Sequence, residues 1–418
     1  MHRPHVLILG AGFAGVGAAE KLKKAPVDVT LIDKNNYHTF QPMLYQVATN
    51  LLDVDIVGQP IRDAIHKQDN LAFHQTAVTN IDLENRSVAC EDMHPLSYDY
   101  LVLALGAKVN FFGVKGAEEH AFPLYTLADA TRLKKQILTR YEIADKDPSQ
   151  IEGGALNFVV VGGGPTGVEI SGAMAHFLFN DLVKDYPTLP MNNTRIILVD
   201  GGPALLRMFK EKSQVYTKKK LEELGVEVWL NQRIQEVGPG HVVFHTGESL
   251  KTQTLIWAGG LQANPLVKDM GVELVHDNRL PVGLDLVLSG HPEVFVAGDI
   301  AMITDGKTAE TLPQLGSVAI QAGHHVGESI SRNVNGKSAK PFKYLDKGTM
   351  ATIAAGAAVL QMPRGRTLTG KAAFLSWGAV HLALLGGGGH RASALLKYGF
   401  AIFSGERSSR IILDEDAD

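Results

Sequence analysis

Cysteine is almost missing from this chain: Cys90 is the single one in 418 residues. One thiol closes no internal disulfide, and without a Cys-x-x-Cys pair neither dithiol redox chemistry nor a cysteine zinc site is available. Strong charge of one sign is missing too. The net charge is −4 with 20% of residues charged, so nothing points to nucleic acid as a partner. The 16 histidines are scattered without an HExxH motif. His324 and His325, adjacent on a helix, would face different ways, so no metal site is expected. Long apolar runs are also absent. Residues 372–389 carry no Asp, Glu, Lys or Arg but end in glycines 386–389. Their helical part falls short of the roughly 20 apolar residues that a bilayer crossing needs. The opening MHRPHVLILGAG shows no charged leader and cleavage site, so a cytosolic start is expected.

Glycine, by contrast, is abundant, at 43 residues against the roughly 7% of an average protein. Two glycine clusters sit where an apolar strand hands over to a helix. The first is HVLIL at 5–9 followed by GAGFAG at 10–15. A run apolar on both faces reads as a buried parallel strand. Gly10 permits the tight turn, Gly12 lets the backbone approach a pyrophosphate, and Gly15 allows close helix–strand packing. The helix that follows offers unpaired N–H groups and the positive end of its dipole to phosphates. A second apolar strand, 27–32, ends in Asp33, near the spacing that puts a carboxylate on a ribose hydroxyl.

The second cluster repeats the plan, with LNFVVV at 156–161, GGGPTGVE at 162–169, and RIILV at 195–199 ending in Asp200. Residues 177–193 read as a helix extension plus a Pro-containing loop. A carboxylate at Asp200 accepts from an NAD ribose diol and repels a 2′-phosphate, with Arg207 close behind to soften that preference. The plainer reading is a surface residue at a strand end. Together the clusters predict an α/β protein with two Rossmann-like dinucleotide-binding domains holding two different cofactors.

Two further strands, YLVLALGAK at 100–108 and VFVAGDIA at 294–301, end in small-residue turns. The pair resembles the segments through which two-dinucleotide-domain flavoproteins leave and re-enter their FAD domain. More narrowly, the chain resembles the type II NADH dehydrogenases, the single-subunit NADH:quinone oxidoreductases. The stretches that carry the likeness are GAGFAG at Gly10, YHTFQPMLYQVAT at Tyr37, GGGPTGVEISG at Gly162, IWAGGLQANPL at Ile256 and KGTMATIAAGAAV at Lys347.

The resemblance implies FAD as cofactor, NADH as substrate and a quinone, menaquinone or ubiquinone, as acceptor. FAD would be held by Gly10, Gly12, Phe13, Ala14, Gly15, Asp33 and Lys34, with Gln46 near the isoalloxazine and the Val78 backbone at the adenine. Ala104, Gly106, Gly298, Asp299, Gln314 and Leu315 complete that set, Asp299 on the ribityl chain. NAD would be held by Gly162, Gly164, Pro165, Thr166, Gly167, Glu169, Asp200 and Gly259. Gln314, Ser317, Gln321 and Lys347 would line the quinone face. Ser317 stands where the family commonly has the first glutamine of an AQxAxQ motif, and Gln321 keeps the second.

Glu169, Lys347 and Gln321 are the candidate catalytic residues. Glu169 is expected on the first turn of its helix, where the dipole stabilises an anion, either beside the nicotinamide or as a mere helix-start carboxylate. Lys347 would stabilise the negative charge of reduced flavin, or stand solvated at a strand start. Gln314 and Gln321 would bond quinone or flavin carbonyls, or lie on a helix surface.

From residue 363 the composition turns basic, with two apolar runs, 372–385 and 394–403, that include Trp377, Leu395, Leu396, Tyr398 and Phe400. Short apolar helices with basic flanks suit a monotopic membrane surface; packing on a partner or on the main body is the other reading. Glycines 386–389 would hinge the two runs apart.

The expected organisation is an FAD domain at 1–110 and 285–335, an NAD(H) domain at 111–284, and a C-terminal membrane and dimer segment at 336–418 with an acidic tail at 414–418. The expected enzyme is a homodimer on the cytoplasmic face of the membrane, passing electrons from NADH to quinone without pumping protons. The alternatives are a soluble flavoprotein reductase of another acceptor and a flavin-binding redox sensor or assembly factor with little turnover.

Overall fold

The computed structural model describes residues 3–190, 193–404 and 410–412. The expected acidic tail at 414–418 lies outside them. The chain divides into two units. The first comprises Met1–Thr39, Gln59–Lys108 and Leu261–Leu345, and the second Phe40–Gly58, Val109–Gly260 and Asp346–Asp418.

These bounds differ from the expected ones in four places, one being that residues 336–345 fall to the first unit. The first unit takes the chain back at 261 rather than 285, because Ala263, Val267 and Leu280 are buried in its core. Residues 40–58 go to the second unit, where the helix Leu44–Ala48 packs on the helices Leu127–Lys146 and Pro165–His176. The C-terminal residues from 346 belong to that second unit instead of standing apart.

The first unit is built on a six-stranded sheet. Its order is Val287–Leu288, His291–Val296, Tyr100–Leu103, His5–Leu9, Asp28–Asp33, Leu71–Gln75. All neighbours run parallel except the first pair. Val6, Leu7, Ile8 and Leu9 are wholly buried, which accounts for the unbroken apolar run. The helices Phe13–Leu22 and Gly316–Val334 pack together through small residues: a Cβ at Gly323 would stand 2.1 Å from the Ala14 carbonyl oxygen.

The second unit repeats the plan in a five-stranded parallel sheet. Its order is Phe122–Pro123, Thr254–Trp257, Asn157–Val161, Arg195–Asp200, Val226–Leu230. The helix Pro165–His176 continues through a π-helical turn, Phe177–Leu182, into Val183–Asp185, the extension expected from sequence. An antiparallel sheet of Thr349–Ala354, Ala357–Gln361 and Thr367–Gly370 follows later in the chain. The helices Lys371–Leu384 and Gly388–Ser404 then close the unit, parted where the glycines were expected to part them.

The contact between Pro165–His176 and the strand Thr349–Ala354 depends on one missing side chain. A Cβ at Gly172 would stand 1.5 Å from the Ile353 carbonyl oxygen. Gly172→Ala is therefore expected to destabilise the second unit by about 2–3 kcal/mol or more. All three tryptophans, Trp229, Trp257 and Trp377, lie in that unit, so denaturant unfolding followed by tryptophan fluorescence reads it directly. An unshifted midpoint would contradict the close approach.

Candidate functional site

Each sheet ends in a glycine loop of the same construction. In the first unit Gly10 turns at φ +100, and its N–H donates to the Ile32 carbonyl at 2.7 Å. In the second Gly162 turns at φ +111, and its N–H donates to the Val199 carbonyl at 2.8 Å. A Cβ at Gly15 would lie 1.8 Å from the Gly10 oxygen, and one at Gly167 would lie 1.8 Å from the Gly162 oxygen. These glycines are needed by the protein itself.

The middle glycines are not. Gly12 and Gly164 have ordinary extended backbone, φ −74 in each, and a Cβ on either would meet nothing within 4 Å. Neither conformation nor packing demands glycine there, so the open space at the helix N-terminus suits the approach of a third party. The residues present thus fit the pyrophosphates of two dinucleotides.

The two acids expected on ribose hydroxyls also correspond. Asp33 accepts from the Ala11 N–H at 2.7 Å and from the Asn35 N–H at 2.8 Å. Asp200 accepts from the Gly163 N–H at 2.7 Å and from the Gly202 N–H at 2.6 Å. Each carboxylate braces its own glycine loop, a role that the spacing alone did not reveal. Arg233 packs on Gly201 and Arg207 on Gly202, beside Asp200.

Within the first unit Ala104 and Gly298 continue the strands next to Gly10, with the Ala104 N–H on the Leu9 carbonyl and the Ala297 N–H on the Leu103 carbonyl. Gly298 turns at φ +81 into Asp299. The sheet's carboxyl edge therefore gathers Gly10, Ala104 and Gly298, as a dinucleotide site requires. Val78 opens a strand just after Thr76, whose N–H bonds the Asp33 carbonyl. Lys34 is exposed.

Sequence reasoning missed His38. Its half-buried ring donates from Nδ1 to the Ala11 carbonyl at 2.9 Å and meets Phe13 edge-on at 5.0 Å. Burial holds this imidazole below its ordinary pKa, which favours the neutral donor form.

The glutamines proposed for the acceptor face have protein partners. Gln314 donates to the Asp299 carbonyl at 2.9 Å. Gln321 donates to the Leu345 carbonyl at 3.1 Å and accepts from the Leu345 N–H at 2.9 Å. Ser317 lies 3.0 Å from the Tyr344 hydroxyl. Lys347, in the second unit, is exposed in the turn before the strand Thr349–Ala354.

Glu169 corrects an expectation. No acid lies in the first turn of Pro165–His176; Glu169 comes a turn later, where the dipole acts weakly. It is half-buried, with its carboxyl against the strand Thr349–Ala354 and accepting from the Thr352 N–H at 3.2 Å. Burial pushes this carboxyl up to about 8, against the opposing pull of the Thr352 backbone and hydroxyl.

An aromatic group stands in the same unit. Trp377 and His381 stack at 4.1 Å, Tyr45 lies 6.4 Å from Trp377, and Phe40 lies 6.2 Å from His381. Trp377 is 2% exposed, and its indole N–H finds no protein acceptor. Burial takes His381 down to about 4.

Paired dinucleotide loops on duplicated parallel sheets define a two-dinucleotide-domain oxidoreductase. The family model for pyridine nucleotide-disulphide oxidoreductase matches residues 4–323. Similar proteins narrow this further. The type II NADH:quinone oxidoreductase Ndh of Mycobacterium tuberculosis is 33% identical over 99% of this chain and 91% of its own length. That of Staphylococcus haemolyticus is 32% identical over 89% of this chain and 93% of its own. A solved structure of NDH2 from Plasmodium falciparum in complex with NADH superposes with a TM-score of 0.90 at 21% identity, covering 99% of this chain and all of that one. The chain belongs to the type II NADH:quinone oxidoreductase family, as the resemblance implied.

Proposed function

We propose that the protein is an FAD-dependent, non-proton-pumping NADH:quinone oxidoreductase. It works as a homodimer seated peripherally on the cytoplasmic face of a membrane. Bound FAD supplies the two-electron chemistry that takes a hydride from NADH and passes electrons to a quinone. The loop around Gly12 would hold FAD, and the loop around Gly164 would hold NADH. Reducing a quinone with NADH consumes one proton beyond the hydride, and Glu169 is the group suited to hold one near neutral pH.

The observation that carries this reading is what the second unit combines: a dinucleotide loop, an ionisable carboxyl on the helix leaving it, and an apolar helical surface. On that surface Leu375 is 71% and Leu396 74% exposed, with Val380, Leu384, Leu395 and Phe400 also open. Such a patch with basic flanks supports contact with anionic lipid, where quinones dissolve. Among the described residues no helix is long and apolar enough to cross a membrane.

The test is steady-state NADH oxidation with menaquinone, ubiquinone and a soluble dye, with and without anionic vesicles. Quinone reduction enhanced by vesicles is expected. Reduction of the dye alone, indifferent to lipid, would overturn the quinone reading. Failure of NADH to bleach the bound flavin would overturn the enzyme reading altogether.

A further inference from the structure

Glu169 stands at one end of a run of hydrogen bonds that the reaction as described does not use. The Tyr398 hydroxyl donates to Gln46 Oε1 at 2.6 Å. Gln46 Nε2 donates to the Tyr45 hydroxyl at 2.9 Å. The Tyr45 hydroxyl lies 2.9 Å from Thr352 Oγ1. The Thr352 hydroxyl and N–H both reach the Glu169 carboxyl. Gln46 is 2% exposed and Tyr45 is buried, so water does not compete for these groups.

The direction of every link follows from the carboxylate end. An ionised carboxylate only accepts, so the Thr352 hydroxyl spends its single proton on Glu169. Thr352 must then accept from Tyr45, and Tyr45 in turn must accept from the Gln46 amide nitrogen. That leaves the Gln46 carbonyl to accept from Tyr398, which is the arrangement observed. All four side chains point their donors towards Glu169. The amide in the middle has no proton to give up near neutral pH, so the run polarises rather than conducts.

We infer that Thr352, Tyr45, Gln46 and Tyr398 are positioning residues, a one-way ladder of donors that makes the Glu169 carboxylate easier to form. The ladder opposes, without overcoming, the desolvation that keeps this carboxyl protonated near neutral pH. Its outer rung sits on the helix Gly388–Ser404, which also carries the exposed Leu395 and Leu396.

Among the described residues, the charged groups on the elements packed against the Glu169 helix are paired, engaged elsewhere or exposed. The strands Thr349–Ala354 and Asn157–Val161, which pack on the Glu169 helix, carry no ionisable side chain. The helix Leu44–Ala48 brings only Tyr45, which interacts with Glu169. Arg195 is paired with Glu227 at 2.7 Å, and Asp200 is spent on its loop. On the helix Glu211–Glu223, Lys218, Lys219 and Lys220 pair with Glu222 and Glu223 and Lys212 is exposed, while Asp181 stands by His176. Beyond the ladder, His381 is neutral, and Lys397 pairs with Asp53 at 2.6 Å.

The consequence for turnover rests on the oxidoreductase reading, whereas the titration itself does not. The experiment follows the protonated-carboxyl band of the flavin-loaded protein by infrared difference spectroscopy across pH, assigned by its loss in Glu169→Gln. Tyr45→Phe is expected to raise the midpoint by about one unit, roughly a tenfold weaker ionisation. Tyr398→Phe should move it the same way by less. Flavin content should stay unchanged, and the high-pH limb of the NADH:quinone rate should follow the band. An unmoved or lowered midpoint in Tyr398→Phe overturns the ladder even where Tyr45→Phe fails to fold. Absent NADH oxidation with a shifted band would overturn the functional reading and leave the ladder standing.

Discussion

Gly12→Val is expected to leave the first unit folded and empty of flavin, whereas Gly15→Val should leave it unfolded. The two positions are three residues apart in one loop, and the difference is what each hydrogen faces. At Gly15 the added carbon would lie 1.8 Å from the Gly10 carbonyl oxygen, an overlap that the loop relieves only by moving off the helix. At Gly12 it would meet no protein atom within 4 Å, and the extended backbone there suits valine. The cost falls wholly on whatever uses that space. If FAD uses it, affinity should fall by about 100-fold or more, since overlap of a few kcal/mol is worth that factor.

Gly164→Val makes the matching prediction for the second unit. Flavin should stay bound while the KM for NADH rises by a similar factor, roughly 100-fold. Flavin absorbance after gel filtration, unfolding curves and the NADH dependence of flavin bleaching check all three variants. Flavin loss on Gly164→Val with retention on Gly12→Val would exchange the two assignments.

Those loops were the most legible part of the chain because their signal is local. Strand, glycine turn, helix and acid follow one another within a few dozen residues, and each leaves a mark in residue type. The structure added that Asp33 and Asp200 brace the loops through the amides of Ala11 and Gly163. The domain bounds were less legible, because a boundary is set by which core buries a segment. FQPMLYQVA reads as distinctive, yet nothing in it says that Tyr45 finds Thr352 some three hundred residues on. Thr352 itself lies in a run of small residues with no chemical signature. Gln321 shows the converse. Its residue type suggested a ligand contact, while its amide is matched at both ends by the Leu345 backbone, a side-chain-to-backbone pairing that no motif records.

Glu169→Gln is expected to remove a pH dependence of stability that the wild-type second unit carries. Glutamate in an unfolded chain ionises near 4.5, whereas here the folded carboxyl holds its proton up to about 8. Between those values the folded state binds the extra proton, so stability falls as pH rises, by at most about 1.4 kcal/mol per unit. Below the window both states are protonated and above it both are ionised, so the slope disappears at each end. A half-buried carboxyl realises part of that limit, so the whole window is worth roughly 2–4 kcal/mol. Glutamine keeps the shape and an acceptor for the Thr352 N–H but never ionises, so the variant should overtake the wild type in stability above about pH 7. Denaturant midpoints read by tryptophan fluorescence from pH 5 to 9 compare the two proteins in the unit that matters, since Trp229, Trp257 and Trp377 all lie there. Parallel curves for the two proteins would show that Glu169 ionises freely in the folded state, and with that the carboxyl would lose its claim to hold the reaction's proton. A converging pair that crosses near neutrality would instead tie one group to two opposed demands. The site keeps a carboxyl poised to exchange a proton, at a cost in stability that a neutral amide would avoid.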